Sequence, residues 1–201
     1  KNPLSSLMYL FEIMFDNFAV VGLTLGAGIL SIIYIGFLAL RILKEDEGTE
    51  KMKEISTYIR EGANAYMKKQ YTVIATIIAL ISIAIAIAVG PIVALAYSIG
   101  AVCSSLTGFT GLFIAIRSNS RTANAARTKG LGKALDVAFK GGSVLGFSVV
   151  GIGVLGIFSL FILYGGLDVY KAVDVVNEIV GFSFGASTVA LFARVGGGIF
   201  T

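Results

Sequence analysis

Arg194 is the one ionisable residue set well inside a long apolar run, Ile179–Phe200. Six residues separate it from Phe200, which on an α-helix places it roughly 9 Å in from that end. A charge at such a depth is costly unless it faces protein or water, so by default it marks an ion or substrate path. The competing reading is that its long stem snorkels to the nearer interface. Gly196, Gly197 and Gly198 follow almost at once. Lacking side chains, they would let bare backbone N–H groups come close to an anion. Ser183, Ser187 and Thr188 carry polar character along the same segment, where hydroxyls more often bond within or between helices than line a path.

Other chemistries are poorly supplied. There is no histidine, so the commonest general base and metal ligand is missing. Cys103 is the only cysteine, which excludes an internal disulfide and a thiolate metal site and leaves it as a small packing residue. Gly151, Gly153 and Gly156 spell a GxGxxG, but a dinucleotide fingerprint must follow a strand and open a helix beside water. This one lies mid-run. No catalytic residue and no metal ligand set is assigned to the chain.

The elements that must position Arg194 are transmembrane helices. Of 201 residues, 56% are hydrophobic and only 14% charged, where a soluble domain carries about a quarter. The apolar residues gather into five blocks, at 18–40, 71–89, 92–116, 142–163 and 179–200, each near the roughly 20 residues needed to span a bilayer. Alternation of apolar and polar residues, as a β-barrel needs, is absent from runs such as Ile83–Ala88. The fold class is therefore an all-α polytopic bundle of about five spans, organised as one transmembrane region over residues 1–201.

Charge sets the expected orientation. Seven cations from Arg41 to Lys69 and six from Arg117 to Lys140 fall between spans on one face. The opposite connections, Gly90-Pro91 and Gly165–Glu178, hold only Lys171. The positive-inside rule then places the basic loops, 45–69 and 117–140, in the cytoplasm and the N-terminus outside. The net charge of +4 thus reflects topology and not nucleic-acid binding.

Thr49 is placed to cap a helix whose Met52, Ile55, Ile59, Ala63, Tyr66 and Met67 recur on one side, predicting an amphipathic helix that runs on into the second span. The Arg117–Lys140 segment, broken at Gly130-Leu131-Gly132, is expected to be a topology-determining loop. Small residues at four-residue steps (Gly22/Gly26, Gly100/Ser104/Gly108, Gly142/Gly146 and Gly181/Gly185) predict strips along which helices pack closely. Lys1 in place of Met, and a last span with no cation beyond it, suggest that both ends are cuts.

The segment Phe182–Thr201, with its ARVGGG core, closely resembles the fifth transmembrane helix of the membrane-bound, ion-translocating inorganic pyrophosphatases. Ile55–Tyr66 resembles that family's first cytoplasmic loop helix, and Ala125-Ala126-Arg127 with Gly141–Gly146 its entry into the fourth helix. The resemblance implies a homodimer of about sixteen helices per subunit, of which this chain is an N-terminal fragment. It also implies hydrolysis of cytoplasmic Mg-pyrophosphate by water and outward pumping of H+ or Na+. Arg194 would match the arginine beneath the hydrolytic centre, in the ion-coupling region. The Mg2+ ligands and the determinants of ion choice and K+ dependence would lie in later helices, leaving this piece inactive alone. The alternative is a non-enzymatic channel or transporter subunit with Arg194 as a gating or anion-selectivity residue.

Overall fold

The structure, a computed structural model, describes the backbone of residues 3–165 and 175–200 and the side chains of residues 19–165 and 175–195. Five helices succeed one another: α1 (Pro3–Leu43), α2 (Glu50–Ala88), α3 (Pro91–Lys129), α4 (Leu131–Leu163) and α5 (Val176–Phe200). Each is long and apolar enough to cross a membrane, so the chain is an all-α polytopic membrane protein. Lys1, Lys171 and Thr201 lie outside the described residues.

The helix expected to run from Thr49 into the second span is present, and the loop expected at Arg117–Lys140 is corrected. The 39 residues of α2 reach roughly 58 Å, almost twice the about 30 Å of a bilayer core. Residues 50–69 and 117–140 are thus helical extensions of the spans. Nothing in Arg117–Lys129 breaks a helix, and the chain reverses through Gly130 alone, at φ +83°. At the opposite end Gly90, at φ +147°, and Pro91 at the first helical turn make the α2–α3 reversal.

Thr49 caps α2 by accepting a bond from the Met52 amide, as its position predicts. The packed side of the α2 extension differs from the expected one. Ser56, Ala63 and Met67 are buried, whereas Ile55 and Ile59 are 49% and 44% exposed. Close approach to α3 selects the small residues, and this turns the branched ones outward.

The helix α3 is central, packing on α2, α4 and α5, with α1 against α4. The small-residue strips account for only part of this. At Gly100 an added methyl group would collide with the Phe182 carbonyl, at Gly185 with that of Tyr97, and at Gly181 it would lie 2.9 Å from the Val93 oxygen. Gly22, Gly26, Gly142 and Gly146 meet nothing within 4 Å in this chain. The α1–α4 contact instead uses Gly28 against Leu155 and Gly151 against Ser31 and Ile32. Gly156, also of the GxGxxG, faces Phe182 and Cys103, which confirms a packing role for it and for the half-buried thiol.

The basic end is tied together by the α1–α2 connection. Arg121, 7% exposed, donates to the backbone oxygens of Leu43, Glu45 and Arg117 and pairs with Glu47 at 2.9 Å. Arg60 pairs with the same carboxylate from α2. Asn124 donates to Asp46, and Lys133 at the start of α4 pairs with Glu45. Burial alone raises the Glu47 carboxyl, yet Arg60 and Arg121 together hold it below its ordinary range. The bond from Lys133 lowers Glu45, and the Gly48 amide with Asn124 lowers Asp46.

Carboxyls with depressed folded values stabilise the fold above their unfolded pKa and lose that contribution as pH falls through the folded one. Melting temperature in detergent should therefore be level from pH 8 to about 5 and fall below about pH 4. Glu47→Ala, which strands two guanidinia, should cost about 1.5–3 kcal/mol at neutral pH. An unchanged melting temperature in that variant would show the clamp to be decorative.

Candidate functional site

The geometry of α5 sorts its residues into two sides. Gly181, Phe182, Gly185, Thr188 and Val189 are buried against the bundle, and Ser183, Ser187, Ala190 and Arg194 form an exposed stripe. At 100° per residue these four fall within roughly 60° of arc. The structure thus brings Ser183 and Ser187 onto the Arg194 face. Thr188 leaves it, because its hydroxyl is buried and donates back to the Phe184 carbonyl. The helix runs on through Gly196, Gly197 and Gly198, so their amides sit in a helical ladder and not in an open anion-binding loop.

None of the ion pairs among the described residues includes Arg194. Glu178, the acidic residue of α5, is sixteen residues away, or roughly 24 Å along the axis, and out of reach. An arginine on an apolar span with no acid paired to it among the described residues calls for a partner from elsewhere.

The level of Arg194 is fixed by Gln70 of α2, a residue that sequence reasoning missed. Its side-chain amide donates to the carbonyls of Ala193 at 3.2 Å and Phe192 at 3.5 Å, in the turn that carries Arg194. Lys68 and Lys69 precede it and the apolar part of α2 begins at Tyr71, so Arg194 lies where α2 turns from polar to apolar. A cavity of about 320 Å³ between α2 and α5, lined by Tyr66, Lys69, Gln70 and Phe192 among others, opens at this level. The only hint in the sequence was an amide at the threshold of a span.

Among the described residues no three His, Cys, Asp or Glu side chains converge to hold a metal. The donor set of the described residues therefore does not fit Mg2+.

The model of the family described as inorganic H+ pyrophosphatase matches residues 29–201. A K+-insensitive pyrophosphate-energized proton pump of Methanosarcina mazei is 47% identical over 177 residues, covering 87% of this chain and 25% of that protein. A K+-stimulated pyrophosphate-energized sodium pump of Thermotoga maritima is 36% identical over 190 residues, covering 86% and 26%. A putative K+-stimulated pyrophosphate-energized sodium pump of Clostridium tetani is 42% identical over 175 residues, covering 87% and 25%. The chain spans about a quarter of the length of these curated relatives.

Proposed function

This chain belongs to the inorganic H+ pyrophosphatase family, and on that premise we propose that it supplies five membrane helices to a primary ion pump. The whole protein hydrolyses cytoplasmic Mg-pyrophosphate with water and drives H+ or Na+ out of the cell. The family match over residues 29–201 carries this reading. Relatives of similar identity are named for protons and for sodium, and as K+-insensitive and K+-stimulated. We place ion choice and the K+ response in the later helices, as the family resemblance implies. These names lend no support to a non-enzymatic channel subunit.

Within the pump, Arg194 couples hydrolysis to ion movement. Ser187 and Ala190 of its stripe line a cavity of about 300 Å³ with Ser104 and Thr107 of α3 and Gly153 of α4, and we place helices that complete the protein, with an acidic partner for Arg194, against this exposed side. Gly196, Gly197 and Gly198 permit close approach of those helices on the next turns. The Mg2+ and pyrophosphate ligands, and the contacts of a homodimer, belong to that remainder.

Phosphate release from Mg-pyrophosphate tests the activity. Membranes holding the full-length protein should show it and the isolated 201 residues should not. Release by the piece alone would refute the placement of the hydrolytic centre.

The basic extensions are cytoplasmic and the N-terminus external, on the charge asymmetry. A single cysteine at exposed Asn119, in a Cys103-free background, should resist an impermeant maleimide in intact cells and react in inverted vesicles. Neighbouring Ser120 is 9% exposed and unsuited to the experiment. Labelling from outside would reverse the orientation.

A further inference from the structure

Between α2 and α3 runs a groove of about 690 Å³, lined by Tyr71, Ile78 and Ala79 on one side and by Val102, Leu106 and Phe109 on the other. Its polar atoms are already used. Ser82 and Ser98 bond each other at 2.9 Å, Ser98 also donates to Ala94, Ser105 donates to Ala101, and the Tyr71 hydroxyl donates to the Ser105 carbonyl. What remains for a tenant is hydrocarbon.

The groove points away from the Arg194 face of α5. Tyr97, Gly100 and Ala101 are the α3 residues that meet α5, and the groove residues of α3 are turned from them by roughly 140°. The Arg194 face of α5 lies beyond that contact, on the far side of the bundle. From Ser98 to Phe109 the groove extends eleven residues, or roughly 16 Å. That is about half of a 30 Å core, the depth of one leaflet.

Its basic end is cationic. Phe109 stacks on Phe113, and the Arg117 guanidinium lies 3.4 Å over the Phe113 ring while donating to the Phe113 carbonyl. Neither Arg117 nor Lys68, which is exposed one turn before Tyr71 on α2, has an ion-pair partner among the described residues. Behind Arg117, Arg60 and Arg121 share the one carboxylate of Glu47, and the buried Arg60 Nε has no acceptor. Positive charge is in excess here, at the level of lipid headgroups.

We propose that the α2–α3 groove seats one acyl chain of an anionic phospholipid of the leaflet at the basic end, with its phosphate held at the mouth by Lys68 and Arg117. The inference rests on the pump reading in one respect, that the helices completing the protein pack on the Arg194 side and leave the groove to lipid.

Native mass spectrometry of the full-length protein with dioleoylphosphatidylglycerol or dioleoylphosphatidylcholine tests it. One phosphatidylglycerol per chain should be retained at least fivefold over phosphatidylcholine. Lys68→Gln with Arg117→Gln should remove most of that preference, whereas Val102→Trp, which fills the groove, should lower retention of both lipids. Ten millimolar inorganic phosphate should leave the adduct intact. Unchanged retention in both variants would overturn the proposal, as would displacement by phosphate, which would make the mouth a free-anion site. Disulfide capture of a cysteine at Ala79 or Val102 by a later helix would also overturn it, because protein and not lipid would then fill the groove.

Discussion

Arg194→Ala in the full-length protein is expected to lower pyrophosphate-driven ion uptake at least tenfold while impairing hydrolysis less. Tenfold corresponds to about 1.4 kcal/mol of lost transition-state stabilisation for the transport step. Alanine would leave the acidic partner proposed for Arg194 uncompensated, and lysine keeps the charge but lacks the planar fork that can bridge two carboxylates. Arg194→Lys should therefore retain part of the hydrolysis with weaker transport. Because Gln70 grips the carbonyls of the Arg194 turn, Gln70→Leu should lower the ion-to-phosphate ratio severalfold. Added to Arg194→Ala it should do nothing more, since two residues acting through one group are not additive. Wild-type pumping by Arg194→Ala would return the residue to snorkelling. A raised substrate requirement with the ratio intact would make it a binding residue.

The second large effect concerns the crossing of α3 and α5. At Gly100 and Gly185 the opposing atoms are backbone carbonyls, which cannot rotate aside as a side chain can. Alanine at either position should separate the helices and cost at least about 1–3 kcal/mol, and leucine should prevent assembly. Gly142→Ala and Gly146→Ala should stay within about 1 kcal/mol of wild type, because nothing in this chain approaches them and alanine favours a helix. Thermal unfolding in detergent, read by fluorescence-detected gel filtration, separates the two pairs. Equal melting temperatures for Gly185→Ala and Gly146→Ala would refute the crossing.

Five spans were legible because membrane helices must be apolar over a fixed length, and that signal is carried by composition alone. Thr49 was legible because a cap is local. Which glycines pack was not, since the four-residue spacing that marks Gly181 and Gly185 marks Gly142 and Gly146 equally, and only the tertiary arrangement distinguishes them. The helical extensions on either side of Gly130 were missed for a related reason. Cations at 117–140 announce a boundary to the membrane but say nothing about where a helix ends, and Arg121 and Asn124 are fixed by carbonyls and carboxylates of the distant segment Leu43–Glu47. Arg194 stands out by its isolation in an apolar run. Gln70 does not, because a single bridging amide leaves no pattern.

Pyrophosphate-driven ion uptake into inverted vesicles, measured beside phosphate release on one preparation of the full-length protein, tests the central claim most directly. Mg-pyrophosphate should acidify the lumen or load it with Na+, in constant ratio to the phosphate released, and the ratio should collapse in Arg194→Ala. Phosphate release with no H+ or Na+ accumulation in sealed wild-type vesicles would contradict it.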